Sequence, residues 1–395
     1  MKHAATSFFH IALMVEVGGA FGRAICQGAS RFAQEHDGWL LFPHQTAGND
    51  AEIRDWLQAN HITGIISLVN SRELFLRLQA TGLPLVNVLL RDRAPGVTSV
   101  TSDSPAIIRM AVEFFQQIGF WHFAFCGYPG LAFSDLRENA FRETLMGLGH
   151  MLHTPPVEAH PVQPPIGYEN ITGAELNPHF QKWLRGLPKP IALLTGNDVR
   201  GQQVIRLAQE LGIDVPGQLA VLGVDNDEVV CCMCSPALSS INPNAEGIGY
   251  TAAQTLDGLL RGTVCPGAEI LLPPTHIIER RSTGLPPTEN PVVAQALRII
   301  RDRPRENLTT QVLCGELNCP RAKLDLLFKQ LLGRTPAEEI TRVRLKCLID
   351  LLQSTDLSLK EIAARFNFSS TNSFFRFIHR ETGTTPTALR HNPPG

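Results

Sequence analysis

Short apolar runs alternate with amphipathic stretches over the first ~280 residues, and beyond that point the runs stop. The runs are Ile11–Val15, Leu40–Phe42, Ile65–Val69, Leu85–Leu89, His122–Phe125, Ile191–Leu194 and Leu219–Val224. They are short enough to be strands, and many end near Gly, Asn or Asp. Helical patterns lie between them at Gly22–Glu35, Pro105–Ile118, Arg137–Leu148, Arg200–Leu211 and Gly247–Leu260. Strands that alternate with helices predict parallel sheets covered by helices on both faces. Two such sets predict an α/β fold of two lobes, each a doubly wound parallel sheet. In open sheets of this kind a ligand binds beyond the carboxyl ends of the strands.

At 395 residues the chain is too long for one ordinary core, and two or three domains are expected. A Pro- and Gly-rich stretch, Thr283 to Pro291, reads as the boundary. We place a ligand-sensing domain at 1–283, a linker at 284–291 and a second domain at 292–395. The second domain reads as all-α, with helices at Val292–Arg301, Thr309–Leu317, Pro320–Leu331, Pro336–Gln353, Leu359–Phe366 and Thr371–Glu381. The net charge of −2 hides an asymmetry: Pro291–Gly395 carries 16 Lys and Arg against 10 Asp and Glu, and the remainder is acidic. A basic domain joined to an acidic one points to nucleic acid as the partner of the basic part. No apolar run approaches the ~18 residues of a membrane span, and Met1 to His10 contains no secretion signal. A cytoplasmic protein without membrane contact is expected.

The helical end contains two helix-turn-helix patterns. In the first, Thr309–Leu317 is followed by the turn Asn318-Cys319 and a helix opening at Pro320, where the missing N–H has no intrahelical partner to lose. In the second, Ser358 caps Leu359–Phe366, a turn Asn367-Phe368-Ser369 follows, and Ser370 caps the last helix. Pro336–Gln353 would join the two units rigidly and hold two recognition helices about one turn of DNA apart.

On the text Leu359-Lys-Glu-Ile-Ala-Ala-Arg-Phe-Asn-Phe-Ser-Ser370, Phe374, Arg376 and Arg380-Glu-Thr-Gly-Thr-Thr-Pro386, this domain resembles the AraC/XylS transcription regulators. Phe328-Lys329, Leu332-Gly-Arg-Thr-Pro336 and Arg342-Val-Arg-Leu345 carry the resemblance in the first unit. It implies sequence-specific binding of double-stranded DNA. Ser370, Thr371, Asn372 and Arg376 of the second unit, and Arg321, Ala322, Asp325 and Leu326 of the first, would face the duplex. Arg suits guanine and Asn suits adenine, each through paired hydrogen bonds. A leucine at 326 and an asparagine at 367 depart from the common pattern; Asn tolerates the positive φ that the turn needs.

The first domain resembles the sugar-binding sensor of LacI-type repressors and periplasmic binding proteins. Phe125-Cys-Gly127, Leu222-Gly-Val-Asp-Asn226, Leu238-Ser-Ser-Ile241, Gly249-Tyr-Thr-Ala-Ala253, Leu272-Pro-Pro and Ile278-Glu-Arg-Arg-Ser-Thr283 carry it. Within that class it looks most like the xylose operon regulators, which also place the sensor ahead of the DNA-binding domain. A small polyol must have its hydroxyls satisfied when water is excluded, which suits Asp, Asn and Arg, and an aromatic ring can cover its C–H face. Arg137, Asn197 and Asp225 match ligand positions of the LacI-type sensors. Asp198, Glu16, Phe21, Arg23, Asn242 and Asn244 join them as candidates. Asp198 and Asp225 also read as helix caps, and Arg137 as the head of its helix, within reach of Glu138 or Glu143.

No phosphate loop, HExxH or GxSxG is present, so no enzyme is expected. Gly18-Gly-Ala-Phe-Gly22 lacks the spacing of a dinucleotide loop. Cys231, Cys232 and Cys234 read as reduced thiols, and neither metal nor cofactor is expected. The function expected is a homodimeric, sugar-responsive regulator that activates xylose or related pentose-use genes, with D-xylose as first effector and RNA polymerase an open partner. The alternatives are a regulator of another small sugar, a repressor, and a sugar-binding protein that does not bind DNA.

Overall fold

The computed structural model describes residues 8–44, 50–68, 72–89, 98–156, 178–284, 290–355 and 357–391, and the chain divides into two units, Met1–Gly284 and Leu285–Gly395. Residues 285–289 of the expected linker, and Val69 at the end of the third apolar run, lie outside the described residues.

In the first unit the described strands form two six-stranded sheets. The first lobe holds β1 (Phe9–Met14), β2 (Trp39–Pro43), β3 (Gly64–Ser67), β4 (Leu85–Asn87) and β5 (Thr98–Ser102), with β11 (Glu269–Leu272) at one edge. The second holds β6 (Phe123–Cys126), β7 (Leu152–His153), β8 (Ile191–Thr195), β9 (Leu219–Val224), β10 (Ser239–Ile241) and β12 (Ile277–Ile278). The orders are β11-β5-β4-β3-β1-β2 and β12-β10-β9-β8-β6-β7. Pairing is parallel except between β10 and β12. Most of the apolar runs became central strands because both faces are covered: β3, β6, β8 and β9 are buried at every position, whereas Leu40–Phe42 lies in the edge strand β2. Side chains alternate between two cores. Phe123, Phe125, Ala192 and Leu194 enter one, while Ala124, Cys126, Ile191 and Leu193 enter the other.

β5 is a strand that apolar periodicity does not reveal. Its sequence is Thr-Ser-Val-Thr-Ser, and it is buried between β4 and β11. Backbone pairing on both sides satisfies its N–H and C=O groups, and Thr98 Oγ1 accepts the Gly267 N–H (3.1 Å).

Helices cover both lobes. In the first are α1 (Ala20–Glu35), α2 (Asp50–Ala59) and α3 (Arg72–Gln79). The chain crosses to the second lobe through α4 (Ser104–Gln117), and α5 (Ala132–Gly147), α6 (Pro178–Gly186), α7 (Asp198–Glu210) and α8 (Glu228–Met233) follow there. It returns through α9 (Ala245–Leu260), which packs on α1. That crossing is tight: a Cβ at Gly28 would stand 1.9 Å from the Glu246 carbonyl oxygen, and one at Gly249 2.1 Å from that of Ile25.

Among its described residues the second unit holds helices and no strand: α10 (Pro291–Asp302), α11 (Thr310–Glu316), α12 (Arg321–Leu332), α13 (Pro336–Ser354), α14 (Leu359–Arg365), α15 (Thr371–Thr382) and α16 (Pro386–His391). α16 is a helix that the sequence reading did not include. Thr309, Ser358 and Ser370 cap α11, α14 and α15 through their side-chain oxygens. The turns pivot on Asn318 (φ 47°) and Asn367 (φ 55°). Two cores result, one around Leu297, Leu313, Leu324 and Phe328, the other around Leu348, Ile362, Phe374 and Ile378. α13 serves both, through Ile340 and Val343 at one end and Leu348 and Leu352 at the other.

Candidate ligand cleft and DNA-facing helices

Strand ends of both lobes converge on a cleft of about 470 Å³. Glu16, Phe21, Arg137, Asn197, Asp198 and Asp225 all line it. Asn244 does not: at φ 66° it heads α9, and its amide donates to the Pro273 carbonyl (3.4 Å). Arg23 is not a lining residue either, and instead pairs with Asp227. The sequence reading passed over Phe133, Asn139, Glu143, Asp227 and Glu269, which line the cleft as well. Glu269 belongs to β11, an edge strand whose burial alternates and whose sequence position lies far from the other sites.

Each polar group is held by its element. Asn197 follows β8 and caps α7, its Oδ1 accepting the Arg200 N–H (3.0 Å). That leaves the side-chain NH₂ as the donor a ligand hydroxyl could use. Arg137 is not at the head of its helix but inside α5, which begins at Ala132. It is buried, donates to the Gly196 carbonyl and lies over the Phe133 ring at 5.4 Å. Its burial takes it away from the surface position expected for pairing with Glu138 or Glu143, and Arg142 pairs with Glu138 (2.7 Å). Beneath the cleft Arg200, buried over the Tyr128 ring at 4.1 Å, donates through Nε and Nη2 to the Gly127 carbonyl (3.2 and 3.0 Å).

Asp198 is almost wholly buried. Burial, and then the charge of Asp225, push its carboxyl up to about 8. Its Oδ2 accepts the Asp227 N–H (2.7 Å) and its Oδ1 the Ser240 hydroxyl (2.6 Å). The cap of α8 is Asp227, whose Oδ1 accepts the N–H groups of Val229 and Val230 (3.1 and 3.2 Å). Asp225 is not that cap: it stands two residues earlier at φ 110° and turns the chain out of β9. Arg280 fastens this turn by donating to Asn226 Oδ1 (2.9 Å) and the Leu238 carbonyl (2.9 Å). The cleft thus combines carboxylate acceptors, one buried guanidinium, an amide and aromatic rings, which is what recognition of a polyol requires. Cys231 and Cys234 pack inside the second lobe, and burial pushes both thiols up. Among the described residues no three His, Cys, Asp or Glu side chains are placed to hold a metal ion, and no helix is long and apolar enough to cross a membrane.

In the helical unit α15 exposes Asn372 and Arg376, half-exposes Thr371 and buries Phe374 and Ile378. Ser370 Oγ accepts the Ser373 N–H (3.1 Å). On α12 Arg321, Ala322 and Leu326 are exposed, with Lys323 beside them, and Arg321 stands 3.6 Å from Asp325.

A periplasmic binding protein-like domain model matches residues 112–283, and a helix-turn-helix domain model matches 313–392. The xylose operon regulatory protein of Escherichia coli K12 is 28% identical, over 98% of this chain and 97% of its own length. The solved structure of a xylose-binding transcription activator aligns over 98% of both chains with a TM-score of 0.74 and 25% identity. A LacI transcriptional regulator from Rhodococcus shares the sensor fold, with a TM-score of 0.56 over 71% of this chain and all of its own, at 19% identity.

These findings correct the AraC/XylS assignment. The family models match a periplasmic binding protein-like domain and a helix-turn-helix domain, and over its whole length the chain is similar to xylose operon regulatory proteins, with a sensor fold shared with LacI regulators. Much of the text that suggested AraC/XylS consists of caps, buried aromatic and aliphatic positions and turn residues, which any helix-turn-helix needs for its geometry. With a sensor fold ahead of a helix-turn-helix domain, matched end to end by regulatory proteins, the chain is a DNA-binding transcription regulator and not an enzyme.

Proposed function

We propose that this regulator takes D-xylose, or a pentose of the same size, between the two lobes of its sensor and activates genes for its use. The regulator is sugar-responsive, and its DNA binding is sequence-specific. One observation carries the reading of the cleft: Glu16 and Phe21 from the first lobe meet Arg137, Asn197, Asp198 and Asp225 from the second around a single cleft large enough for a small sugar. In this reading the carboxylates of Glu16 and Asp225, the protonated carboxyl of Asp198, and the amide and guanidinium of Asn197 and Arg137 satisfy the hydroxyls. Phe21 covers the C–H face.

Residues 1–283 are the sensor, 284–291 the linker and 292–395 the DNA-binding domain. Two helix-turn-helix units, α11–α12 and α14–α15, present Arg321, Ala322, Asp325 and Leu326 and Ser370, Thr371, Asn372 and Arg376 to successive major-groove segments. The chain works in the cytoplasm as a homodimer, and RNA polymerase is its partner in activation. Sugar shifts the equilibrium between open and closed sensors only through its differential affinity for the two.

Calorimetric titration with D-xylose, L-arabinose, D-ribose and D-glucose tests the reading. Saturable binding of D-xylose, lost in Asp225→Ala, is expected. Binding of another sugar in that set would replace the effector, and an unchanged dose–response in Asp225→Ala would remove Asp225 from the site.

A further inference from the structure

An ion pair between Arg23 and Asp227 spans the two lobes beside the cleft. Arg23 lies on α1 in the first lobe and Asp227 at the head of α8 in the second, with Nη2 3.1 Å from Oδ2. Both ends are anchored. Arg23 Nη1 also donates to the carbonyls of Val17 (3.2 Å) and Gly18 (2.6 Å), so the guanidinium draws in the loop that carries Glu16. Asp227 keeps its other oxygen on the N–H groups of Val229 and Val230, and its own N–H on Asp198. A continuous chain of polar contacts therefore runs from the loop of Glu16, across the cleft, to the carboxyl of Asp198, and both of those residues line the cleft.

We infer that Arg23 and Asp227 form a clasp that stabilises the closed sensor, making them positioning residues for the effector response. The inference rests on the cleft being the effector site. The pair joins elements of different lobes, so it is lost when the lobes part, whereas the bonds that anchor each partner lie within one lobe and survive. An interaction present only in the closed form raises effector affinity by raising the population of that form. Asp227 is 12% exposed and Arg23 44%, so solvent screens the pair in part and its effect is moderate.

The substitutions Arg23→Ala and Asp227→Asn separate the clasp from its surroundings, because Asn keeps a side-chain oxygen to cap α8. In the full-length protein each is expected to raise the Kd for D-xylose about three- to fivefold, with the double variant no weaker than either single one. Hydrogen exchange measured without sugar should quicken in residues 15–22 and 225–231 of both variants. Unchanged affinity and exchange in the single variants, or fully additive losses in the double, would overturn the clasp. A wild-type protein that binds no sugar would instead overturn the effector reading, and the exchange rates would still decide whether Arg23 and Asp227 hold the lobes together.

Discussion

The N–H of Asp227 donates to Oδ2 of Asp198 across 2.7 Å, and this bond ties the loop after β9 to a carboxyl buried at the head of α7. Burial, with Asp225 nearby, pushes that carboxyl up to about 8, from an ordinary value of 3.8. Below about pH 4 the group is protonated in both the folded and the unfolded chain. Between about pH 4 and 8 the folded chain keeps a proton that the unfolded chain has released, so stability falls as pH rises through this window. Asp198→Asn removes the titration. The variant's Tm is expected to fall less than that of the wild type between pH 5 and 8.5. Parallel Tm profiles would mean that Asp198 is ionised throughout the range.

The crossing of α1 on α9 gives a second prediction. Gly249 lets the Ile25 carbonyl approach to a distance that no Cβ permits, 2.1 Å from where that atom would stand. Backbone packed against backbone has no side-chain end that can yield, so Gly249→Ala forces the helices apart. A loss of about 1–3 kcal/mol is expected from urea unfolding of the full chain. An unchanged midpoint would show that the crossing relaxes without cost.

A third concerns Glu339, wholly buried where α13 begins. Burial pushes its carboxyl up, but Arg342 and Arg334 prevail and hold it below the usual range. Arg334 Nε lies 2.5 Å from Oε2 and Arg342 Nη2 2.8 Å from Oε1. Because the folded value is depressed, this contribution is present above the unfolded pKa and lost as pH falls through the folded one. Glu339→Gln is expected to cost about 1.5–3 kcal/mol at pH 7 and to weaken the acid sensitivity of the helical unit's unfolding. A neutral result in both would mean that the arginines are satisfied by water alone.

The legible part of the fold is the part in which composition and burial agree. Ile191–Thr195 and Leu219–Val224 are continuous apolar runs because helices cover both of their faces. Thr98–Ser102 is equally buried, yet reads as a loop because hydroxyl side chains fill it. The cleft follows the same logic. Asn197, Asp198 and Asp225 stand directly after apolar strands and could be found by that position. Glu269 comes from a distant edge strand, and Asn139 and Glu143 project from within α5, so nothing local marks them. Asp227, two residues after Asp225, has the same residue type in the same stretch after β9, so the sequence alone does not tell the two apart. Only the backbone, turning through φ 110° at Asp225 and 48° at Asn226, determines which of the two caps α8 and which turns the chain.

The last prediction separates the two domains. Arg376 is exposed on α15, one turn beyond Asn372, on the side opposite buried Phe374 and Ile378. A paired contact to guanine from this position would be worth about 1–3 kcal/mol of discrimination between bases. Binding sites selected from a random duplex pool by the wild-type protein supply the probe. Arg376→Ala is expected to bind the selected site roughly ten- to a hundredfold more weakly, to relax the preference at one base pair and to leave the Kd for D-xylose unchanged. If affinity falls equally for every sequence and the salt dependence drops by about one counterion, Arg376 contacts phosphate instead. If neither affinity nor preference changes, α15 is not the reading helix, and the exposed face of α12 around Arg321 and Leu326 must carry the specificity.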